Sequence, residues 1–312
     1  MDALLKNYIQ LNNSFHKKNL VFRLGVEAGF FSEYNNMILA ILYCLINKIH
    51  FILYSKDATF RYEQGWTDYF LPFCKEDFFP YQRHNPRTAI PSKKYDPRVI
   101  LHHLLRPDTF LTFELWRLFH NRAMEMQQFH IPELGINGDL QAACQTLIHL
   151  TWRYNEDTQN TIDERISSLH LPEKYIGFHI RSGDKNQEAE LWDISNYIEK
   201  AQNISDLRNA FILTDDYHVV ETIQSRFKEW NIYTLCGKEE KGYYFQDFLK
   251  KDRNSIKDAH IRLFASMDIL SRSELFVGTF SSNVGMFLGM RMNPTKVYGV
   301  DLEKWQIWTC YH

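Results

Sequence analysis

The sequence predicts an α/β protein of two domains, each built on a parallel, doubly wound sheet, which face each other across a cleft. Short apolar segments that favour β-strands alternate with amphipathic helical segments, and this alternation is typical of parallel sheets covered by helices. The length of 312 residues suits two domains at roughly 150 residues each. The predicted domains are residues 1–165 and 166–312.

The first domain is predicted from a strand–turn–helix–strand unit that follows a short polar helix. Residues 19–24 (NLVFRL) form the first strand, and Gly25 and Gly29 lie in the turn after it. The apolar periodicity of residues 32–47 predicts the helix, and residues 50–55 (HFILYS) predict the second strand. The remaining expectations are a loop over the proline-rich residues 75–98 and helices over residues 108–128 and 139–154.

The second domain alternates strands and helices more regularly than the first. The predicted strands are residues 175–180, 210–214, 231–235, 275–279 and 295–300. The predicted helices are residues 194–201, 217–230, 256–271 and 283–290. This order predicts one parallel sheet with helices on both faces.

Composition excludes several classes of protein. Hydrophobic residues make up 45% of the chain and charged residues 24%, which excludes bulk disorder. The formal net charge is −2, whereas nucleic-acid binders are usually basic. The five cysteines contain no CxxC pair and predict neither a disulfide framework nor a zinc site, which favours a reducing compartment. The longest apolar run, residues 37–46, is about half of a membrane span, so we expect a buried helix, no membrane anchor and a cytoplasmic protein.

Polar side chains follow three predicted strands of the second domain, at the edge where open α/β sheets bind ligands. They supply a guanidinium, an ammonium group, carboxylates, and hydroxyls at a helix N-terminus, a set that suits a sugar nucleotide. The residues at this edge are His179, Arg181, Asp184, Lys185, Asp215, Asp216, Thr279, Ser281 and Ser282.

Arg181 is the strongest candidate, because a guanidinium at the end of a buried strand matches phosphate oxygens with two parallel hydrogen bonds. It can equally be a structural arginine paired with a nearby aspartate. His179 is either a ligand of a base or phosphate or a buried core histidine. Ser281 and Ser282 are either an anion site or an ordinary helix N-cap.

Carboxylates supply the remaining chemistry. Glu188 or Glu190 can act as a general base toward a hydroxyl group, and both can also be solvated surface acids. Asp215 and Asp216 are adjacent and lack the Asp-x-Asp spacing of a metal motif, and Asp216 can simply cap the next helix, so we predict no metal ion. The chain contains no Walker A, GxGxxG, GxSxG or HExxH motif.

Four stretches, in order, resemble the α1,6-fucosyltransferase family and, more loosely, the protein O-fucosyltransferases. They are residues 23–45 with the glycine-bearing turn, residues 60–76 (FRYEQGWTDYFLPFCKE), residues 177–185 (GFHIRSGDK) with the EAELWDISNYI that follows, and the segment from ILTDD to DILSRSELFVGTFSSNVGMF. The resemblance covers about residues 20–300 and implies a GT-B-like glycosyltransferase with two Rossmann-like domains.

The resemblance assigns roles to residues that match the family's motifs. Arg181 falls on the arginine that contacts the donor diphosphate, and His179 on the histidine placed near the guanine and phosphates. Ser282 falls on the serine that helps to hold phosphate. Asp184 and Lys185 match an aspartate and a lysine of the motif.

Other positions match less directly. The family's base glutamate falls on Glu188 if one residue is deleted, and Glu190 remains a rival. Ser182 stands where the family has a second arginine. The guanine-reading aspartate aligns with Ser266, while Asp268, the nearby candidate for donor binding, lies two residues on.

The resemblance implies an inverting, metal-independent fucosyltransferase that moves L-fucose from GDP-β-L-fucose to a glycan hydroxyl without a further cofactor. The second domain is the donor side, and Gly25 and Gly29 join the donor-binding set. The first domain is the acceptor side, around residues 25–33 and the basic loop 75–98, unless that loop is only a surface connection. The alternatives are another nucleotide-sugar donor, or a catalytically idle sugar-nucleotide or glycan-binding protein of the same fold.

Overall fold

The structure, a computed structural model, describes residues 2–25, 28–85, 96–181 and 192–308. The chain divides into two compact units, Met1–Asn155 and Glu156–His312. This division precedes the predicted boundary at residue 165, because the helix Glu156–Ser168 packs within the second unit. There, Arg165 on this helix forms an ion pair with Asp258.

The first unit contains a three-stranded parallel sheet and a short antiparallel pair of strands. Its helices and strands are α1 (Ala3–Asn13), β1 (Asn19–Arg23), α2 (Phe30–Ile46), β2 (His50–Tyr54), α3 (Pro97–Leu105), β3 (Thr109–Leu111), α4 (Thr112–Phe119), β4 (Phe129–Ile131), β5 (Ile136–Gly138) and α5 (Leu140–Thr151). The sheet order is β2–β1–β3, and β4 pairs with β5. The predicted first strand, helix and second strand are therefore confirmed.

Two features of this unit differ from the sequence prediction. The predicted start of a helix near residue 108 is wrong. Thr109–Leu111 instead form β3 and pair with Asn19, Leu20 and Val21 of β1. Three residues are too few to show a period, and pairing with a buried strand overrides the local helical pattern. The sequence pattern also does not predict α3, which Asp96 caps by accepting a hydrogen bond from the Arg98 N–H at 3.0 Å.

α2 lies at the centre of the first unit. The helix is buried along nearly its whole length, as the apolar run of residues 37–46 predicts. Tyr34 stacks on Trp66 with ring centroids 6.2 Å apart, and Trp152 meets the same tyrosine edge-on at 5.3 Å. Among the described helices, none is long and apolar enough to cross a bilayer.

The second unit is built on one parallel sheet of five strands. Its elements are α6 (Glu156–Ser168), β6 (Ile176–His179), α7 (Ile194–Ile204), β7 (Asn209–Leu213), α8 (Tyr217–Arg226), β8 (Asn231–Tyr233), α9 (Phe245–Phe248), α10 (Arg253–Arg272), β9 (Leu275–Gly278), α11 (Asn283–Arg291) and β10 (Val297–Gly299). All five predicted strands are confirmed, and the sheet order is β10–β9–β6–β7–β8.

His260 makes the stability of this unit depend on pH. It is buried on α10, where its ring lies 5.4 Å from that of Phe248 and 6.0 Å from that of Phe264. Burial lowers the pKa of His260 to about 4. An unfolded chain protonates this histidine near pH 6.5, so the stability that the neutral native form contributes is lost as the pH falls from there toward 4.

We therefore expect the free energy of unfolding in urea to fall by about 2 kcal/mol more between pH 7 and pH 5 in the wild type than in His260→Phe. Phenylalanine keeps the aromatic packing and removes the titrating group. The exposed His218 provides a matched control, and His218→Phe should keep the wild-type dependence. An equal pH dependence in wild type and His260→Phe would contradict this assignment.

Candidate functional site

The topology of the five-stranded sheet creates a switch point at the carboxyl ends of β6 and β9. From β6 the chain adds β7 and β8 on one side, and it then places β9 and β10 on the other side. In open α/β sheets the loops separate at such a point and leave a crevice that binds ligands. β6 ends there with His179, and the segment after β9 brings Ser281 and Ser282.

His179 and Ser282 meet at this switch point. The Ser282 hydroxyl oxygen lies 3.5 Å from Nδ1 of His179, and both residues are buried. The same hydroxyl donates a hydrogen bond to the Thr279 carbonyl at 2.8 Å and accepts one from the Gly285 N–H at 3.0 Å. Ser282 therefore caps α11, one of the two roles that the sequence left open, and fixes the start of that helix beside the buried histidine.

Asp301 fixes the backbone of the loop between β9 and α11. Its two carboxylate oxygens accept hydrogen bonds from the N–H groups of Phe280 and Ser281, each at 2.8 Å. Sequence reasoning missed this residue. The signal was present, because Asp301 comes immediately after the last strand segment, as Asp215 comes after its own strand.

Gly285 is required for this loop to approach α11 closely. A Cβ atom at position 285 would lie 1.9 Å from the Thr279 carbonyl oxygen, which is backbone and has to shift. We expect Gly285→Ala to lower the free energy of unfolding in urea by about 1–3 kcal/mol, as for other overpacked sites. Val284→Ala, one residue earlier on the same helix, serves as the control and should stay close to wild type. Wild-type stability in Gly285→Ala would show that the loop is not packed as described.

Asp215 and Asp216 both bind backbone groups at the carboxyl end of β7. Asp215 accepts a hydrogen bond from the Tyr243 N–H at 2.9 Å, which ties the segment after β8 to β7. Asp216 accepts one from the His218 N–H at 3.0 Å and caps α8, so the helix-capping interpretation is confirmed. These contacts shape this edge of the sheet.

Cys236 lies on the segment that Asp215 anchors. Burial, reinforced by nearby carboxylates, raises the pKa of its thiol to about 12, so it stays protonated at neutral pH. Within the described part of the chain, no three histidine, cysteine, aspartate or glutamate side chains gather as metal ligands.

Asp268 forms an ion pair that joins two helices of the second unit. Its carboxylate, on α10, accepts a hydrogen bond from the Arg291 guanidinium of α11 at 2.6 Å, and the residue is 4% exposed. Ser266, the position aligned with the family's guanine reader, donates its hydroxyl proton to the Arg262 carbonyl of the same helix. The contact of Asp268 is thus structural, and its role in donor binding stays a prediction.

Gly25 and Gly29 frame the turn after β1 in the first unit. Gly25 has a φ of +78°, and a Cβ there would lie 2.7 Å from that of Ala58, so the turn requires glycine. Its N–H donates a hydrogen bond to the buried Glu33 carboxylate at 3.3 Å. Gly29 precedes α2 and has open space around it. Their part in donor binding stays a prediction.

The remaining candidates lie at or beyond the end of a described stretch. Arg181 follows Ile180, whose N–H donates to the Leu213 carbonyl at 3.0 Å, so the hydrogen-bonded ladder with β7 continues to the residue before it. Arg181 itself is partly buried. The predicted residues that fall outside the described stretches are Asp184, Lys185, Glu188 and Glu190.

Comparison with known proteins gives a family match and several fold matches. Residues 141–290 match the family model described as alpha-(1,6)-fucosyltransferase N- and catalytic domains. The matched segment spans just under half of the chain. The resemblance predicted from the four motifs is confirmed.

The solved structures agree with the fold. NodZ alpha-1,6-fucosyltransferase soaked with GDP-fucose aligns at 13% identity over 89% of this chain and 93% of that chain, with a TM-score of 0.54. Selenomethionine NodZ from Bradyrhizobium aligns at 13% identity over the same shares, with a TM-score of 0.53. NodZ co-crystallised with GDP aligns at 14% identity over 89% and 93%, with a TM-score of 0.52. The predicted α/β fold of GT-B type is confirmed, whereas no curated protein sequence matches the chain.

Proposed function

We propose that this fucosyltransferase relative transfers L-fucose from GDP-β-L-fucose to a hydroxyl group of a glycan, with inversion and without a metal ion. The observation that supports this most is the contact at the switch point between His179, two residues before Arg181, and Ser282, the cap of α11. NodZ, which shares the fold, was crystallised with GDP and after soaking with GDP-fucose.

The donor diphosphate fits the charges of this edge. The N-terminus of α11 carries partial positive charge from its aligned peptide dipoles, and its N–H groups suit phosphate oxygens. Arg181 adds a full positive charge and a planar pair of donors. As the bond between fucose and diphosphate breaks, negative charge grows on the leaving oxygen, and groups already fixed around it stabilise the transition state.

The acceptor side of the reaction needs a base. In this proposal the carboxylate of Glu188 or Glu190 takes the proton of the acceptor hydroxyl. The acceptor oxygen attacks the anomeric carbon from the face opposite the diphosphate, a new carbon–oxygen bond forms, and GDP leaves with the electron pair of the broken bond. A β-linked donor then yields an α-linked product. The first unit, around residues 25–33 and the loop 75–98, supplies the acceptor contacts.

A second donor class is favoured by one observation. Ser266 has no carboxylate, and the carboxylate of Asp268 is paired with Arg291. The two positions nearest the family's guanine reader are therefore both committed to structural contacts. This favours a donor with another base, within the same fold and reaction.

Thermal unfolding with GDP, UDP, ADP or buffer, each with and without EDTA, separates these donors. A ligand at 100 times its dissociation constant stabilises by about 2.7 kcal/mol, a shift of several degrees for a chain of this size. The proposal predicts a shift with GDP alone that EDTA leaves unchanged. A shift with UDP or ADP alone would overturn the donor, and a GDP shift abolished by EDTA would overturn the metal independence.

A further inference from the structure

Asp301 lies at the point where the last strand leaves the sheet. The Val300 N–H donates a hydrogen bond to the Gly278 carbonyl at 2.9 Å, so the pairing of β10 with β9 continues to the residue before Asp301. The Asp301 carboxylate then turns to the loop after β9, where it accepts the N–H groups of Phe280 and Ser281. Because each of its oxygens takes one of these charge-assisted hydrogen bonds, the side chain fixes two successive peptide groups of the loop.

Packing by the segment after β10 restrains the same loop and the helix that follows it. Phe280 is 1% exposed, and a Cβ atom at Gly299 would lie 2.6 Å from its ring, so the ring lies directly against the end of β10. Further along the segment, the Trp305 indole N–H donates a hydrogen bond to the Met286 carbonyl of α11 at 3.1 Å. The Trp305 ring fills the space that a Cβ atom at Gly289 would take. The loop and α11 are therefore held by one segment of chain.

The fixed loop sets the direction of the groups that the proposed reaction turns toward the diphosphate. Ser282 follows directly after Ser281, and its hydroxyl lies 3.5 Å from Nδ1 of His179. The first N–H groups of a helix have no acceptor within the helix and point outward from its first turn. A shift of the Phe280 and Ser281 peptides would therefore move Ser282 and the start of α11 relative to the phosphates.

The charge of Asp301 suits a support of the loop better than a ligand of the donor. A carboxylate beside a diphosphate repels it, because both groups are negative. Asp301 instead directs its oxygens to backbone N–H groups. Burial and, after it, the Asp301 carboxylate raise the pKa of the Tyr197 hydroxyl, and Tyr197 of α7 is only 3% exposed. Asp301 thus interacts with the loop and with a buried side chain of a neighbouring helix.

We propose that Asp301 is a positioning residue for the donor diphosphate. It acts through the backbone of Phe280 and Ser281, and it sets where Ser282 and the start of α11 meet the phosphates. This role rests on the proposed function and adds to it a residue that the resemblance does not assign. Loss of the carboxylate weakens the binding of any ligand that carries the diphosphate, whatever its base, because the loop is the part that receives the phosphates.

Calorimetric titration of the purified full chain with inorganic pyrophosphate, GDP and guanosine tests this role in Asp301→Asn. The amide keeps one oxygen acceptor but turns an NH₂ group toward the second backbone N–H, so one peptide group of the loop loses its partner. We expect the dissociation constants of pyrophosphate and GDP to rise at least about tenfold. The dissociation constant of guanosine, which has no diphosphate, should stay unchanged. Asp301→Glu keeps both acceptors on a longer side chain, and its affinities should lie between those of the wild type and Asp301→Asn.

Asp252→Asn is a matched control in the same unit. The Asp252 carboxylate also accepts hydrogen bonds from two backbone N–H groups at the start of a helix, those of Asn254 and Ser255 on α10, at 3.0 and 3.1 Å. This variant should bind pyrophosphate and GDP like the wild type. Urea unfolding of every variant shows how much stability each has lost, and the titrations are made under conditions where all of them are folded. Equal weakening in Asp252→Asn would assign the effect to a general loss of stability and overturn the proposal.

The remaining outcomes separate this role from other roles and from the proposed function. Wild-type affinity for pyrophosphate in Asp301→Asn would overturn the proposal, and lower turnover at that unchanged affinity would make Asp301 a group that acts on the acceptor. If Asp301→Asn does not fold, Asp301→Glu decides, because wild-type pyrophosphate affinity in it would overturn the proposal. A wild type that binds neither pyrophosphate nor GDP would overturn the diphosphate site itself, and this role with it.

Discussion

Replacing Arg181 with alanine is expected to lower turnover at least about 100-fold. The residue follows Ile180, whose N–H bonds to the Leu213 carbonyl at the end of β7, and comes two residues after His179 of the buried His179–Ser282 pair. In the proposed reaction its guanidinium faces charge that appears only as the diphosphate leaves, so its loss acts on the transition state more than on the ground state. Turnover should therefore fall further than donor affinity does.

Two variants sharpen this test. Arg181→Lys keeps the charge but loses the planar pair of donors, so its turnover should lie between those of the wild type and alanine variant. Arg272→Ala removes an exposed arginine at the end of α10 and should leave turnover unchanged. Wild-type turnover in Arg181→Ala would remove this residue from the site. An equal loss in Arg272→Ala would point to a general effect of charge.

Removal of the general base is expected to lower turnover by a factor similar to, or larger than, that for Arg181→Ala. Either Glu188→Gln or Glu190→Gln should lower turnover by roughly 100- to 10,000-fold, because a neutral amide cannot take the proton of the acceptor hydroxyl. The other variant should stay close to wild type, so the two serve as matched controls for each other. GDP-induced thermal stabilisation should survive in both, because the base acts on the acceptor.

Two outcomes would contradict the assignment of the base. Near-normal turnover in both variants would place the base elsewhere. Loss of GDP-induced stabilisation in the impaired variant would mean that the glutamate holds the donor. Measuring turnover and thermal stabilisation on the same preparations distinguishes these results.

Much of the second unit is predictable from sequence because each of its strands is a short apolar run followed by polar residues. That pattern placed His179 and Ser282 at one sheet edge, and the structure shows them in contact. It also allowed Asp216 to be interpreted as a helix cap, which is confirmed. Neighbours in sequence were sufficient for these predictions, because the position of a residue at a strand end or at a helix N-cap is determined by the adjacent segment.

The features that escaped prediction depend on partners distant in sequence. Asp301 contacts the N–H groups of Phe280 and Ser281 only because β10 and β9 are neighbours in the sheet. Asp268 looked available for a nucleobase, but the packing of α11 on α10 brings Arg291 to it. β3 can be recognised as a strand only from its pairing with β1. Periodicity within one segment carries no information about such neighbours.

The most direct test of the central claim is the release of GDP from GDP-β-L-fucose, measured in EDTA with water alone and with a panel of glycan acceptors. We expect the wild type to release GDP in EDTA, faster when an accepted glycan is present. We expect Arg181→Ala to release it at least about 100-fold more slowly. Absence of GDP release under all these conditions, or release that requires an added divalent cation, would contradict the account.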